Sequence, residues 1–230
     1  MFLRIFTLTL EPVNPLRFSP DEARSFFNRE LAAYSLDTRD PDSIHRYQAL
    51  QCKYIKNELM VIGIGQGAGL LRQLAEGRDT ILTGENACTI TGRDSTIRNE
   101  EFGITGSLHT YEFLTPWLAL NQQNAKKFYD LKGKPERDAF MQKLLLGHLN
   151  ALAKSLDYKP PVPISCEPKV RFRRERIDDE NVIVFLGKFR TNLSIPDFLG
   201  IGQSVSRGFG TIRHIDPEFF DPVRGDLNGP

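Results

Sequence analysis

The chain has 230 residues, 26 % of them charged, with 30 lysines and arginines against 29 acids and a net charge of +1. That length suits one large domain or two small ones with a real core, and the even balance excludes nucleic-acid binding by bulk charge, so any basic surface must be local. Cys52, Cys88 and Cys166 are odd in number, far apart and form no Cys-x-x-Cys pair, which argues against structural zinc and a disulfide framework.

A reducing, cytoplasmic location follows as the default. Phe2 to Leu10 alternates and predicts an inner strand. The segment is too short to span a bilayer and lacks the basic start and cleavage site of a secretory signal. Ser19-Pro20-Asp21-Glu22 predicts a helix start, with a serine cap, proline in the first turn and two acids at the positive end. That helix is expected to run to about Ala33. A polar loop with Pro41 follows. Tyr47 to Ile55 and Leu59 to Ile64 are rich in strand formers, with a hairpin expected at Lys56-Asn57. Gly65-Gln66-Gly67 leads into a short helix through Leu74. Asp79 to Ile104 is expected to hold several short strands broken at Gly84, Gly92 and Gly103.

A second pass starts near Ser107. Thr110 to Trp117 reads as a strand, with His109 before it. Asn121 to Leu131 reads as a helix. Glu136 to Leu156 is a longer helix carrying Phe140, Leu144, Leu145, Leu149 and Leu152 at helical spacing. His148 falls within it, at the boundary of the amphipathic helix's apolar face. Glu167 to Arg176 and Asn181 to Thr191 predict two strands around Asp178-Asp179, and Phe209 to Ile215, with His214 in it, predicts the last. Each pass orders its elements strand, helix, strand, strand, helix, strand. That order predicts an α+β fold of tandem ferredoxin-like (RRM-like) domains, at 1–105 and 106–230. From Asp216 the proline-containing tail is expected to be loose.

Three segments carry chemistry. LGIGQSVSRGFGTI, Leu199 to Ile212, sets Gly200, Gly202, Gly208 and Gly210 around Gln203, Ser204, Ser206 and Arg207. Glycine admits close approach of another chain, and consecutive amides can form an anion-binding nest. A plain glycine-rich turn explains the same spacing. KVRFRRER, Lys169 to Arg176, is the densest basic run. On a strand, Lys169, Arg171 and Arg173 share one face while Val170 and Phe172 turn to the core, and Arg174 adds a further cation. Such a run suits phosphates and guanine edges; it equally suits a charged edge strand that resists aggregation. GIGQG, Gly63 to Gly67, follows a strand and opens a helix, but Ala68 and Gly69 misplace the third glycine of a dinucleotide fingerprint. A tight strand-to-helix turn is the simpler reading.

The glycine-rich loop, the run Tyr47 to Leu71 and the run Tyr111 to Asn124 together resemble the CRISPR-associated repeat-RNA-processing endoribonucleases, the Cas six family, b subtype. The resemblance implies two ferredoxin-like domains and binding of CRISPR repeat RNA. It also implies cleavage without metal or organic cofactor, leaving a 2′,3′-cyclic phosphate and a 5′-hydroxyl. Other effector subunits and a second copy of the chain are further partners to expect; a membrane is not. One departure stands out. The subtype places a histidine pair after its first helix, and the matching Glu30 to Asp37 holds none.

Cleavage by the RNA's own 2′-OH needs a base, an acid and a cation for the charge that builds on phosphorus. Histidine suits the first two tasks and lysine or arginine the third. His45 stands two residues before Tyr47, and Tyr47, Gln51 and Lys53 follow at even steps on one strand face. His45, Tyr47 and Lys53 are therefore the candidate catalytic residues. Lys169, Arg171, Arg173, Arg174, Gly200, Gly202, Gln203, Ser204, Ser206, Arg207 and Gly208 are the candidate RNA-binding residues, and no metal ligands are expected. A solvated histidine, a core-capping tyrosine and an exposed strand lysine are the plain alternatives. Two other functions stand beside this one: a non-cutting RNA-binding protein of the same fold, and a nucleotide-binding enzyme using Gly63 to Gly67.

Overall fold

A computed structural model of the chain describes residues 1–12, 25–27, 29, 50–55, 58–75, 80–83, 86–177 and 179–220. The first half holds β1 (Phe2–Pro12), β2 (Leu50–Ile55), β3 (Glu58–Ile64), α1 (Gln66–Ala75), β4 (Thr80–Thr83) and β5 (Asn86–Glu101). Residues 25–27 and 29 are helical between β1 and β2. The strands form one antiparallel sheet in the order β2-β3-β1-β5-β4. The second half holds β6 (Gly103–Phe113), α2 (Gln122–Asp130), α3 (Lys134–Ser155), β7 (Cys166–Ile177), β8 (Glu180–Ser194), a 3₁₀ turn at Val205–Arg207 and β9 (Ile212–Ile215). Its sheet runs β7-β8-β6-β9, again antiparallel.

In each half the second and third strands form a hairpin beside the first, and the last strand closes the first strand's other side. This is the ferredoxin-like arrangement, used twice. In the second half the 3₁₀ turn stands where a second long helix would lie.

Alternation explains how the halves join. On β1, Phe6, Leu8 and Leu10 pack with Val61, Cys52 and the α1 residues Ala68, Leu71 and Leu74. Leu3 and Ile5, with Ile62 and Ile64 of β3, point the other way, into the core of the second half. One strand thus serves two cores, because successive side chains leave a strand on opposite faces. The second core gathers Tyr111, Phe113, Trp117, Phe185 and Phe189 under the α3 stripe Met141, Leu145, Leu149 and Leu152.

Local signals place the helices. Asn121 caps α2 by accepting the Asn124 amide at 2.8 Å, and Pro135 lies in the first turn of α3. GIGQG makes the tight turn from β3 into α1, held by Gly65 N–H to the Arg4 carbonyl at 2.9 Å.

Several boundaries differ from expectation. Gly92 does not end the strand; β5 is one strand of 16 residues, because β1 pairs with it from Ile90 to Glu101, with a register shift beside Gly92, and β4 pairs with its first four residues. β6 already contains His109 and ends at Phe113, after which Trp117 exchanges backbone hydrogen bonds with Phe185 as an isolated bridge. The last strand starts only at Ile212, because Gly208 and Gly210 hold positive φ. Phe172 does not turn into the core. It is 47 % exposed and meets only the edge of the helical layer, its ring 5.4 Å from that of Phe128. The tail beyond Asp216 is not loose at its start: Pro217–Phe219 form a 3₁₀ turn and Phe220 is buried. No helix among the described residues is long and apolar enough to cross a membrane.

Candidate functional site

β2 alternates like β1. Leu50 and Cys52 join the first core, so Gln51 and Lys53 face the second half of the chain. The glycine-rich loop docks there. The Lys53 ammonium donates to Gln51 Oε1 at 2.8 Å and to Thr211 Oγ1 at 3.2 Å. Gln51 Oε1 also accepts the Gly200 amide at 2.9 Å. Thr211 Oγ1 donates to the Gly208 carbonyl at 3.0 Å, as does Thr115 Oγ1 at 2.6 Å. The close approach expected of the loop is therefore made to the protein's own strand: a Cβ on Gly208 would stand 3.0 Å from the Cys52 carbonyl oxygen and 3.2 Å from Lys53 Cα.

The loop's amides are largely committed to this docking. Those of Gly200, Ile201, Gln203, Arg207, Gly208 and Gly210 all donate inside the protein. The anion-binding nest expected of this sequence is thus not what these six amides form, because the turn needs them to close on itself and on β2. What the loop offers outward is side chains. Gln203, Ser204, Ser206 and Arg207 are half-buried, and the Arg207 guanidinium lies 5.9 Å from the Phe209 ring centre. Gly202 lies over Trp117, whose indole N–H points to His148 Nδ1 at 3.3 Å. Burial pushes His148 down to about 4.

Lys53 is fully buried and so is not the exposed strand residue of the plain alternative. Burial pushes its ammonium down to about 7, with Cys52 pulling weakly the other way. The folded chain therefore holds this proton less tightly than the unfolded chain, whose lysine titrates near 10.5. Folding stability should rise between about pH 7 and 10.5, by up to about 1.4 kcal/mol per pH unit from this group. Urea unfolding of wild type and Lys53→Met at pH 7, 8 and 9 tests this. The difference between them should shift toward wild type as pH rises; parallel profiles would remove the burden from Lys53.

The basic strand lies apart from this seam. Phe172 touches Phe128, and Arg174 lies 5.8 Å from the Tyr129 ring, so the even positions of β7 face α2. Lys169, Arg171 and Arg173 share the opposite face. Arg171 is exposed and has no ion pair or hydrogen bond among the described residues. Arg173 pairs with Glu175. Lys169 donates to the Phe220 carbonyl at 3.2 Å.

His45 and Tyr47 lie outside the described residues. The structure brings together two histidines that the sequence kept apart. His109 on β6 and His214 on β9 have ring centres 5.7 Å apart, because His214 sits opposite Tyr111 in the sheet. His109 also bonds Thr105 Oγ1 at 2.7 Å. Burial, then the neighbouring His214, holds His109 below the usual histidine range. Thr115, Thr211, Lys188 and Arg190 escaped the sequence reading. Only the KFR alternation on β8 signalled the last two.

Family profiles described as the Cas6b N-terminal domain and the Cas6b C-terminal domain match residues 1–101 and 103–215. An uncharacterized protein of Methanocaldococcus jannaschii is 30 % identical over 146 residues, which is 60 % of this chain and 94 % of that protein. A crystal structure of a Cas6b superposes with a TM-score of 0.76 at 24 % identity, covering 94 % of this chain and all of the other. A second, described as the CRISPR RNA processing endoribonuclease Cas6b, gives 0.71 at 25 % identity with the same coverage.

Proposed function

The chain belongs to the Cas6b family, and from that premise we propose that it binds CRISPR repeat RNA and cuts it by attack of the RNA's own 2′-OH. The observation that carries the reading is the docking of the glycine-rich loop on β2. Two of the segments that resemble the family meet there through Gln51, Lys53, Gly200 and Thr211. His45 and Tyr47 precede that strand in sequence.

A base takes the 2′-hydroxyl proton, the oxygen bonds to phosphorus, the P–O5′ bond breaks and the 5′-oxygen receives a proton. The products are a 2′,3′-cyclic phosphate and a 5′-hydroxyl. His45 takes one of the two proton roles, and Tyr47 orients the phosphate. Lys53, buried at the seam, is a positioning residue that fixes the loop against β2. Ser204, Ser206 and Arg207 on the loop and Arg171, Arg173 and Arg174 on β7 contact the RNA.

Incubation with the repeat RNA in EDTA tests the chemistry. Cleavage should persist, and should stop when the nucleotide before the cut is 2′-deoxy. A requirement for magnesium would replace this mechanism with a metal-bound water nucleophile. Tight binding without any cutting would favour the non-cutting protein that the missing histidine pair suggests.

The basic strand gives a separate expectation. Arg171→Ala with Arg173→Ala should weaken repeat binding and lower the slope of log affinity against log salt by about 1 to 2, since fewer counterions are released. An unchanged slope would leave β7 as a charged edge strand.

A further inference from the structure

The outer face of the second sheet, away from α2 and α3, carries cations that the seam does not use. Lys169 and Lys188 stand directly opposite each other on β7 and β8, and Arg190 follows two residues along β8, opposite Thr110. The segment Pro217 to Phe220 covers them. The carbonyls of Pro217, Phe219 and Phe220 accept from Arg190 at 3.3 Å, Lys188 and Lys169 at 3.2 Å. Lys188 donates to Phe219 at 2.6 Å. The Phe220 ring centre lies 4.0 Å from Lys169 Nζ and 3.8 Å from the Arg190 guanidinium. Thr110, on the same face by register, is buried, and its hydroxyl has no hydrogen-bond partner among the described residues.

A flat ring against two cations, oxygens on three donors and a buried hydroxyl still unpaired: these are the demands of a nucleotide, met only in part by a peptide. A base stacks on arginine and presents edge groups to a hydroxyl, and a phosphate offers charged oxygens where the carbonyls are neutral. Two acids share this face, Glu112 opposite Lys188 and Glu167 opposite Arg190, and Glu112 is paired with Arg213. The four cations Lys169, Lys188, Arg190 and Arg213 against these two acids leave the strand positions net positive. We propose that Lys169, Lys188, Arg190 and Thr110 form a subsite for one unpaired RNA nucleotide, which Phe220 occupies until RNA displaces it. The proposal rests on the chain being an RNA-binding protein, and names a place on it.

Occupation by Phe220 lowers apparent affinity by the fraction of chains in which the subsite is open. The test is fluorescence anisotropy of the full chain in EDTA with a labelled 12-nucleotide oligouridine. Phe220→Ala should bind it about 3-fold or more tightly than wild type. Adding Lys188→Ala and Arg190→Ala should abolish that gain. No gain from a folded Phe220→Ala would overturn the proposal, as would equal competition by an oligoglutamate peptide. Because Phe220 is buried, the wild-type chain supplies a second readout. Chymotryptic cleavage after Phe220, resolved by mass from cleavage after the exposed Phe219, should accelerate when the oligonucleotide binds; an unchanged or slower rate overturns the proposal. Repeat-RNA binding measured alongside separates the two ideas. Its absence in wild type removes the proposed function, whereas its presence with an inert Phe220 removes only the subsite.

Discussion

Gly210→Val should destabilise the fold by about 3 kcal/mol or more, the largest loss expected from any single loop change. Gly210 holds φ at +63°, a conformation that costs an L-residue about 1–2 kcal/mol. A Cβ there would run into the Ile201 carbonyl oxygen. Ile201 in turn donates its amide to the Gly210 carbonyl at 2.9 Å, and Gly210 N–H reaches the Pro116 carbonyl at 2.8 Å. Relieving the clash breaks the hairpin that carries Gly200 to Gln51, so the buried Lys53 loses its partners too. Chemical denaturation measures the loss. Gly69→Ala, on α1 with open space around its Cβ, is the control and should be neutral or stabilising by about 0.5–1 kcal/mol. Equal effects at the two glycines would mean that loop geometry is not what the sequence pattern protects.

His45→Ala should lower the single-turnover rate of repeat cleavage by about 10²-fold or more, the usual loss on removing a general acid or base. Affinity should change little, because one neutral imidazole contributes little to phosphate binding. Tyr47→Phe and Lys53→Ala should lose less rate, the first by misorienting the phosphate and the second by loosening the seam. A His45→Ala chain that cuts at the wild-type rate removes His45 from the mechanism. His109 and His214, whose rings lie 5.7 Å apart, would then be the next pair to change.

The local signals that proved legible are those set by the nearest neighbours in the chain. The alternation of Phe2 to Leu10, the helix near Asn121 and the α3 positions Leu145, Leu149 and Leu152 rest on signals that act over one to four residues, so the sequence displays them directly, whereas Met141 joins the buried stripe in place of the half-buried Phe140 and Leu144. The repeated order of strands and helices likewise foretold two ferredoxin-like sheets. The basic face of Lys169, Arg171 and Arg173 followed from alternation alone.

Other features depend on what meets across the sheet or between the halves. A lysine on a strand is ordinarily exposed, and only the docking of a loop 158 residues further on (Thr211 against Lys53) buries this one. The glycine-rich segment looked like a binding loop because glycine permits close approach, but sequence does not say to what. The partner that the fold supplies to Gly208 is β2. Phe220 read as part of a loose tail because Asp216 and Pro217 precede it, yet three cations from two strands hold it down.

By itself, then, the sequence determined the element order, the faces of each strand and the location of its basic run, since these arise from short-range stereochemistry and side-chain period. The tertiary structure decided which polar groups are buried, which histidines are neighbours and which cations are already covered. Those properties depend on contacts between residues 27 to 158 positions apart, as in Arg190 with Pro217 and Lys53 with Thr211, and no local pattern encodes such a pairing.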